Sequence, residues 1–391
     1  MNIKRAVPGR ADAPDPFLDR LRQCGDPSAD AVVRELMGTG QITGVNQILR
    51  AFDDNDQPVP DGLPPLLTEY LRTSGSVPEW VDREQIAGAY DFFRDDGMQL
   101  AACLCLSGML GSYASPHAAQ VMTQTQRLRQ PSRRMAETFQ FILYLMAEEP
   151  LGPEGRLVRA CQKVRLVHAT VRTLVTREGA WDHGRFGTPI NQEQMLTAVL
   201  MFSIGAAEGA RAIGVHVTAR ELADYYHLWC VTGALLGMDR ASMPDTPDEA
   251  TALWRDRVRP RVWGPSEEGV ELARAFVAYE QRGLPKAVHG LVPAVMRRVT
   301  DRQAVDWLRV PKSPWSAAVS LAVGVNKVLE HAEDRFPAAE RFLDRQGHKL
   351  LGRQALHVLG GQEQEFDLPQ SLRAAWLDKP PPPAAPEEPA P

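Results

Sequence analysis

The run from Gly97 to Tyr113 restricts the fold most, because it is apolar almost all the way round. A helix that is hydrophobic on every face has no side to turn to solvent and must lie at the centre of a protein. Other helices then have to surround it. Small residues in the run, among them Ala101, Gly108 and Gly111, would let a neighbouring helix or a flat cofactor come close, and helix packing is the more common reason for such residues.

The rest of the chain also shows helical spacing, with proline and glycine at the breaks. It has no hairpin signal and no sustained alternation of polar and apolar residues, so no sheet is expected. Its 391 residues, 44% of them hydrophobic, are enough to bury a large core. We therefore predict an all-α fold, a single large globin-like helical domain with extra N- and C-terminal helices.

We expect three segments along the chain. Residues 1–16 are predicted to form a flexible arm, residues 17–378 the helical domain, and the proline-rich residues 379–391 a disordered tail. The first 13 residues lack the apolar centre of an export signal. The five cysteines lie mostly in apolar helical runs, which is typical of free thiols in a reducing compartment. The expected location is the cytoplasm.

Charge and hydropathy narrow the class of partner. A formal net charge of -5, without a basic stripe, argues against a nucleic-acid partner. The longest apolar runs, 101–110 and 195–207, are shorter than the roughly 20 residues that a membrane-spanning helix needs, so no transmembrane segment is predicted. A small molecule is the expected partner.

A histidine occupies an apolar position in the middle of the chain. Six residues that recur at alternating steps of four and three share one helical face: Leu157, Cys161, Val164, His168, Val171 and Val175. Arg165 and Arg172 flank His168 at three and four residues, so both guanidinium groups are expected on the imidazole side. Burial and two neighbouring cations each disfavour the protonated ring, so His168 should be neutral with a nitrogen available for a ligand.

Two interpretations of this histidine stay open. One is an axial ligand of haem iron, with the two arginines forming charge-assisted hydrogen bonds to the propionates. The other is a core histidine bonded to a backbone carbonyl, with arginines that reach the surface. Spacing alone favours the second interpretation, since lone histidines on apolar faces are common.

Three motifs resemble a known family, the catalytic domain shared by latex-clearing rubber oxygenases and mpaB-type oxygenases. The motifs are Arg165-x-x-His168-x-x-x-Arg172, Thr188–Leu196 and Arg133–Thr138. The resemblance covers roughly residues 77–254. It implies a haem b cofactor whose iron His168 binds from the proximal side, supported by Arg165 and Arg172, with dioxygen as cosubstrate.

On the distal side, the family positions match Arg134, which would stabilise charge developing on dioxygen, and Thr138, which would donate a hydrogen bond. Two departures stand out. Glu137 replaces the lysine of rubber oxygenases, and residues 115–118 offer no acid where those enzymes have a carboxylate base. Glu137 or His117 would then handle protons, or Glu137 instead pairs with a neighbouring arginine.

Arg298 is a further candidate for cofactor binding. It lies near a position where family members carry an arginine beside the haem. Together with Arg297 it also suits the C-terminal end of a helix, where basic side chains interact well with the helix dipole.

The resemblance implies a b-type haem oxygenase that acts on a hydrophobic, unsaturated, isoprenoid-like substrate, with oxidative C=C cleavage by dioxygen as the expected reaction. Hydroxylation or peroxide chemistry, as in a haem monooxygenase or peroxygenase, is the nearest alternative. No nucleotide motif is present, so electrons would come from the substrate or from a separate reductase. A haem- or lipid-binding protein without turnover and a helical scaffold without cofactor are the alternatives from other classes.

Overall fold

The fold is seen in a computed structural model that describes residues 14–125, 131–179, 181–282, 284–321, 323–324 and 368, without the side chains of 96, 98 and 131–136. The elements are α1 (Pro16–Gln23), α2 (Pro27–Thr39), α3 (Ile42–Leu49), α4 (Pro65–Thr73), α5 (Arg83–Tyr113), α6 (Pro116–Gln124), α7 (Pro131–Leu145), α8 (Leu157–Glu178), α9 (His183–Phe186), α10 (Gln192–Leu200), α11 (Ala206–Ala212), α12 (Ala219–Leu235), α13 (Pro247–Leu253), α14 (Arg259–Val262), α15 (Glu267–Glu280), α16 (Leu291–Val299) and α17 (Arg302–Trp307), with the π-helical turns π1 (Met201–Gly205) and π2 (Trp254–Val258) and the 3-10 turns Arg240–Ser242 and Lys286–Val288. No strand occurs among these residues. The predicted all-α fold is confirmed.

The central helix of the fold is α5. It packs against α6, α11, α12, α15 and α16, and Leu100 and Leu104 on it are fully buried. A side chain at Gly108 would collide with the Phe202 ring and one at Gly111 with Met201, so these small residues serve helix packing. Sequence spacing predicts one helix over Arg83–Arg94 and a second that begins at Gly97, with a break between them. They form one continuous helix because a single interior glycine costs only about 1 kcal/mol, less than the packing gained on both sides.

Helix α8 lies between two hydrophobic clusters. Leu157 and Cys161 belong to the main core around α5, whereas Leu166 and Ala169 pack with α2, α3 and α4. A hydrogen bond strengthens the contact between α8 and α4, since the Tyr70 hydroxyl donates to the Gln162 carbonyl at 3.0 Å. The stripe that carries His168 therefore continues along a helix that is enclosed on two sides.

A second long helical run joins α10, π1 and α11. Its 21 residues, Gln192–Ala212, include the apolar run 195–207 and have the length and apolar character of a membrane span. Two thirds of its most apolar window (67%) is buried inside the protein, as in the core helix of a globular fold. The pattern Thr218-x-x-Glu221 predicts a capping box at the start of α12. It is confirmed, with Thr218 and Glu221 each bonded to the other's backbone.

Several short elements escaped the sequence analysis. Helices α1, α6, α9 and α17 were not predicted, because a helix of four to nine residues shows too few turns for a clear periodicity. Helical spacing also predicts helices over 131–149 and 317–336. The first ends at Leu145, and most of the second lies outside the described residues. The predicted arm of residues 1–16 and the tail of residues 379–391 likewise fall almost wholly outside the described residues.

Candidate functional site

A cavity of about 330 Å³ lies between α6, α7, α8, α10 and π1. Most of its wall is apolar, formed by residues such as Val121, Phe141 and Val171. Its polar groups include the imidazoles of His117 and His168 and three further side chains, Glu137, Thr138 and Gln194. A largely apolar cavity with a few polar groups is the usual form of a small-molecule site.

His168 borders this cavity from α8. It is half-buried between Val164 and Val171, one helical turn away on either side, and both valines also line the cavity. The predicted apolar stripe is therefore correct, since Leu157 and Cys161 on the same face are fully buried. The ring lies at an apolar surface beside open space, while its role as an iron ligand stays a prediction.

Arg165 and Arg172 do not line the cavity, although both were expected on the imidazole side. Arg165 forms a two-point ion pair with Asp26, the residue that caps the N-terminus of α2, at 2.7 and 3.0 Å. Burial raises the pKa of Asp26, but hydrogen bonds and the charge of Arg165 outweigh burial and lower it overall. Contact of these arginines with haem propionates stays a prediction, and it would require Arg165 to leave Asp26.

Arg172 reaches α2 as well, but it also braces a strained turn. Its Nε donates to Asp30 at 2.8 Å and one Nη donates to the Ile190 carbonyl at 2.8 Å. Ile190 has a φ of +48°, in the left-handed region that β-branched residues rarely adopt. Because Ile190 also borders the cavity, Arg172 fixes part of the cavity wall indirectly.

Two of the predicted distal residues, Glu137 and Thr138, line the cavity from α7. The structure thus brings both of them to the same space as His168. Arg134 lies on α7 as well, but its side chain is outside the described residues, so its distal role stays a prediction.

His117 is a second imidazole at this cavity, from the segment that offers no carboxylate. It is 7% exposed, and the rings of Trp181 and Phe186 stand edge-on to it at 5.0 and 5.8 Å. Burial, aided by the charge of Arg22, lowers the pKa of His117 to about 4, although a hydrogen bond to the Thr188 carbonyl opposes this. Its Nδ1 has no hydrogen-bond partner among the described residues.

The stretch Thr188–Leu196 holds several helices together. Asn191 caps α10 by accepting from the Gln194 amide at 3.0 Å, and the Gln192 amide donates to the Cys24 carbonyl at 2.9 Å. Glu193 is 1% exposed and binds two arginines, Arg22 and Arg261, at 2.7 and 2.6 Å. This motif positions the cavity wall, with only a few of its side chains inside the cavity.

Arg298, predicted to bind the cofactor, does not border this cavity. Its Nε donates to the Ala212 carbonyl at 2.8 Å, and the side chain lines a second cavity elsewhere in the fold. Its neighbour Arg297 donates to the Val310 carbonyl at 3.0 Å. A contact between Arg298 and a cofactor at His168 stays a prediction that this position does not favour.

A family model described as "ER-bound oxygenase mpaB/B'/Rubber oxygenase, catalytic domain" matches residues 90–328, which is more than half of the chain. The chain is therefore a member of this family and an oxidoreductase. The resemblance drawn from the sequence motifs is confirmed, and the match extends beyond residue 254, where those motifs ended.

Two known proteins show how close the likeness is. A rubber oxygenase of Streptomyces sp. (strain K30) is 26% identical over 294 residues, which cover 74% of this chain and 71% of that protein. The solved structure of latex clearing protein LCP in the closed state matches with a TM-score of 0.74 at 23% identity, covering 89% of this chain and 94% of the other. The structural match supports the shared helical fold.

Proposed function

We propose that this protein is a b-type haem oxygenase that cleaves a C=C bond of a hydrophobic, isoprenoid-like substrate with dioxygen. The observation that carries the proposal is the half-buried His168 ring at the wall of a largely apolar cavity, in a chain of an oxygenase family. Dioxygen and an organic substrate follow from the oxygenase class. Haem, the isoprenoid substrate and the cleavage reaction are the proposed part.

The residues present fit a haem group. Among the described residues, no three His, Cys, Asp or Glu side chains lie close enough to hold a metal ion. Iron at His168 would therefore take its other ligands from a cofactor, and haem would supply those ligands together with the capacity to activate dioxygen. Apolar side chains such as Val164, Val167 and Phe141 would contact the macrocycle.

Glu137 and Thr138 would act on the bound substrates. The Thr138 hydroxyl is a hydrogen-bond donor, and the Glu137 side chain can accept a proton at Oε as the carboxylate or deliver one as the carboxylic acid. His117 is a poor proton acceptor near neutral pH, because its pKa of about 4 makes it a weak base. Glu137 is the other candidate for proton handling, and it lines the same cavity as His168.

Electron supply and location complete the proposal. We propose that the substrate or a separate reductase supplies the electrons and that the protein acts in the cytoplasm. Both expectations rest on the sequence, and both can be tested by supplying reductants to the purified protein and by cell fractionation.

The first test is an absorption spectrum of protein expressed with added haem, beside His168→Ala. We expect a Soret band in the wild type and its loss in the variant, because the variant lacks the axial nitrogen. The matched control is His183→Ala, since His183 is exposed on α9 and should leave the band unchanged. A colourless wild type, or an equal band in His168→Ala, would refute the haem assignment.

A haem- or lipid-binding protein without turnover is the second candidate. Glu137 favours it, because this carboxylate lines the cavity where rubber oxygenases carry a lysine. Reduced protein given dioxygen and a polyene separates the two. Carbonyl products indicate the proposed cleavage, hydroxylated products indicate a monooxygenase, and spectral shifts without product indicate a binding protein.

A further inference from the structure

A second cavity, of about 200 Å³, lies across α5 from the first. Ser107 borders the second cavity and Met109 borders the first, and two residues along a helix differ by about 200° in direction. In π1, Met201 lines the second cavity and its neighbour Phe202 lines the first. The cavities share no lining residue among those described, so the second is a separate space.

Two residues of this second cavity hold buried polar groups that lack partners. Trp263 is 9% exposed and Thr300 is 8% exposed. The indole N–H of Trp263 and the hydroxyl of Thr300 make no hydrogen bond among the described residues. Buried donors of this kind are rare in folded proteins, where nearly all are paired. A bound molecule that carries acceptor atoms would satisfy both donors at once.

The acidic residues at this cavity already have partners. Glu208 pairs with Arg255 at 2.6 Å. Asp301 caps α17 with one oxygen, accepting from the Gln303 amide at 2.8 Å, and its other oxygen lies 3.4 Å from Arg259. These carboxylates and their two cations therefore neutralise each other.

One cation is left over at the cavity. Arg298 uses its Nε on the Ala212 carbonyl, and the structure gives it no carboxylate partner in the part of the chain that it describes. Its two terminal nitrogens have the geometry that binds a carboxylate at two points. Arg298 is exposed to solvent at the rim of the cavity, so a ligand of one negative charge could pair with it without displacing a carboxylate.

The remaining wall is apolar, with Trp254, Met201 and Val299 on it. An inorganic anion would leave this surface uncovered, whereas an alkyl group would bury against it. We propose that the second cavity binds a small aliphatic monocarboxylate. Its carboxylate accepts hydrogen bonds from Trp263, Thr300 and Arg298, and its alkyl chain contacts the indole of Trp254. Both π turns contribute wall residues, and such turns occur often at functional sites.

The test is calorimetric titration of the full chain with acetate, propanoate and butanoate. Affinity should rise about three- to fourfold for each added methylene, because each one buries more apolar surface. Trp263→Phe and Thr300→Val each remove one donor while keeping the shape, and each should weaken butanoate binding about tenfold. Arg298→Gln should weaken it more, since a charge-assisted bond is lost.

The matched control is Trp80→Phe. Trp80 is 36% exposed and lines neither cavity, so this change should leave butanoate affinity unaltered. The proposal is overturned if butanoate shows no saturable binding up to about 50 mM, if sulfate binds as tightly, or if Thr300→Val and Arg298→Gln bind like wild type. The first of these results would mean that the cavity holds only water.

Discussion

His117 and His168 border the same cavity but differ in their surroundings. His117 is enclosed by aromatic rings and nearly inaccessible, whereas His168 is half-buried beside aliphatic side chains. The enclosed ring stays neutral because burial opposes its protonation. His117 therefore contributes to the stability of the fold and to the polarity of the cavity wall. Its contribution to stability depends on pH.

Stability should fall in acid because of His117. The unfolded chain takes up a proton near pH 6.5, but the folded ring does so only near pH 4. Free energy of unfolding is therefore lost as the pH falls through this window, by up to roughly 3 kcal/mol. Urea unfolding of wild type and His117→Gln over this range should show a flatter pH dependence in the variant. His183→Gln, at an exposed position, should retain the wild-type slope, and an equal slope in His117→Gln would contradict the expectation.

At the scale of elements, the end of α12 meets the middle of α8. Gly237, just beyond α12, has a φ of +88°, and a side chain on it would approach the Arg165 guanidinium to within 3.0 Å. Arg165 is the residue that holds α2 through Asp26. One glycine thus allows three helices to meet around a single ion pair.

Gly237→Ala should destabilise the protein by about 3 kcal/mol, because it adds backbone strain and displaces Arg165 from its largely buried partner. Gly62→Ala is the matched control. Gly62 has a φ of +80° with open space around it, so only the strain of about 1 kcal/mol applies. Thermal unfolding of both variants measures the difference, and equal losses would show that the contact with Arg165 is unimportant.

Periodicity predicted the long elements and missed the partners of their polar side chains. The central position of α5 follows from its composition, and the capping box at Thr218 follows from a local pattern. Arg165 and Arg172 were placed on the imidazole side by spacing. Their long side chains instead reach carboxylates more than 130 residues away in the chain, and helical spacing holds no information on such distant pairs.

The candidate site was predicted in part for the same reason. His168, Glu137 and Thr138 do border one cavity, because each lies on a long helix with a clear apolar face. The position of Arg298 at a different cavity depends on how α16 packs against α11, which motif spacing does not specify. The enclosure of His117 by Trp181 likewise arises from a loop that showed no periodicity.

On the scale of the whole molecule, Glu193 connects the N-terminal helix to the rest. It joins Arg22 at the end of α1 to Arg261 on α14, and Arg261 also bonds Asp19 of α1. Three segments far apart in sequence therefore share one buried carboxylate. Breaking a buried ion pair from one side is costly, because it leaves the other charges uncompensated.

Glu193→Gln should lower the free energy of unfolding by roughly 3 to 5 kcal/mol. It should also increase proteolysis near α1, because that helix loses its anchor. Limited proteolysis and urea unfolding test both effects. Glu267→Gln, which removes an exposed pair with Arg309, should change stability by less than about 1 kcal/mol. Wild-type behaviour in Glu193→Gln would show that α1 is held by its apolar contacts alone.

The two cavities are separated at π1 by a single peptide bond, since Met201 faces one and Phe202 the other. The Phe202 ring in turn stacks on Trp229 at 5.3 Å. Neither compartment can therefore be reshaped in isolation at this point. A substitution at Met201 or Phe202 that enlarges one cavity would move the backbone between them and alter the volume of the other cavity.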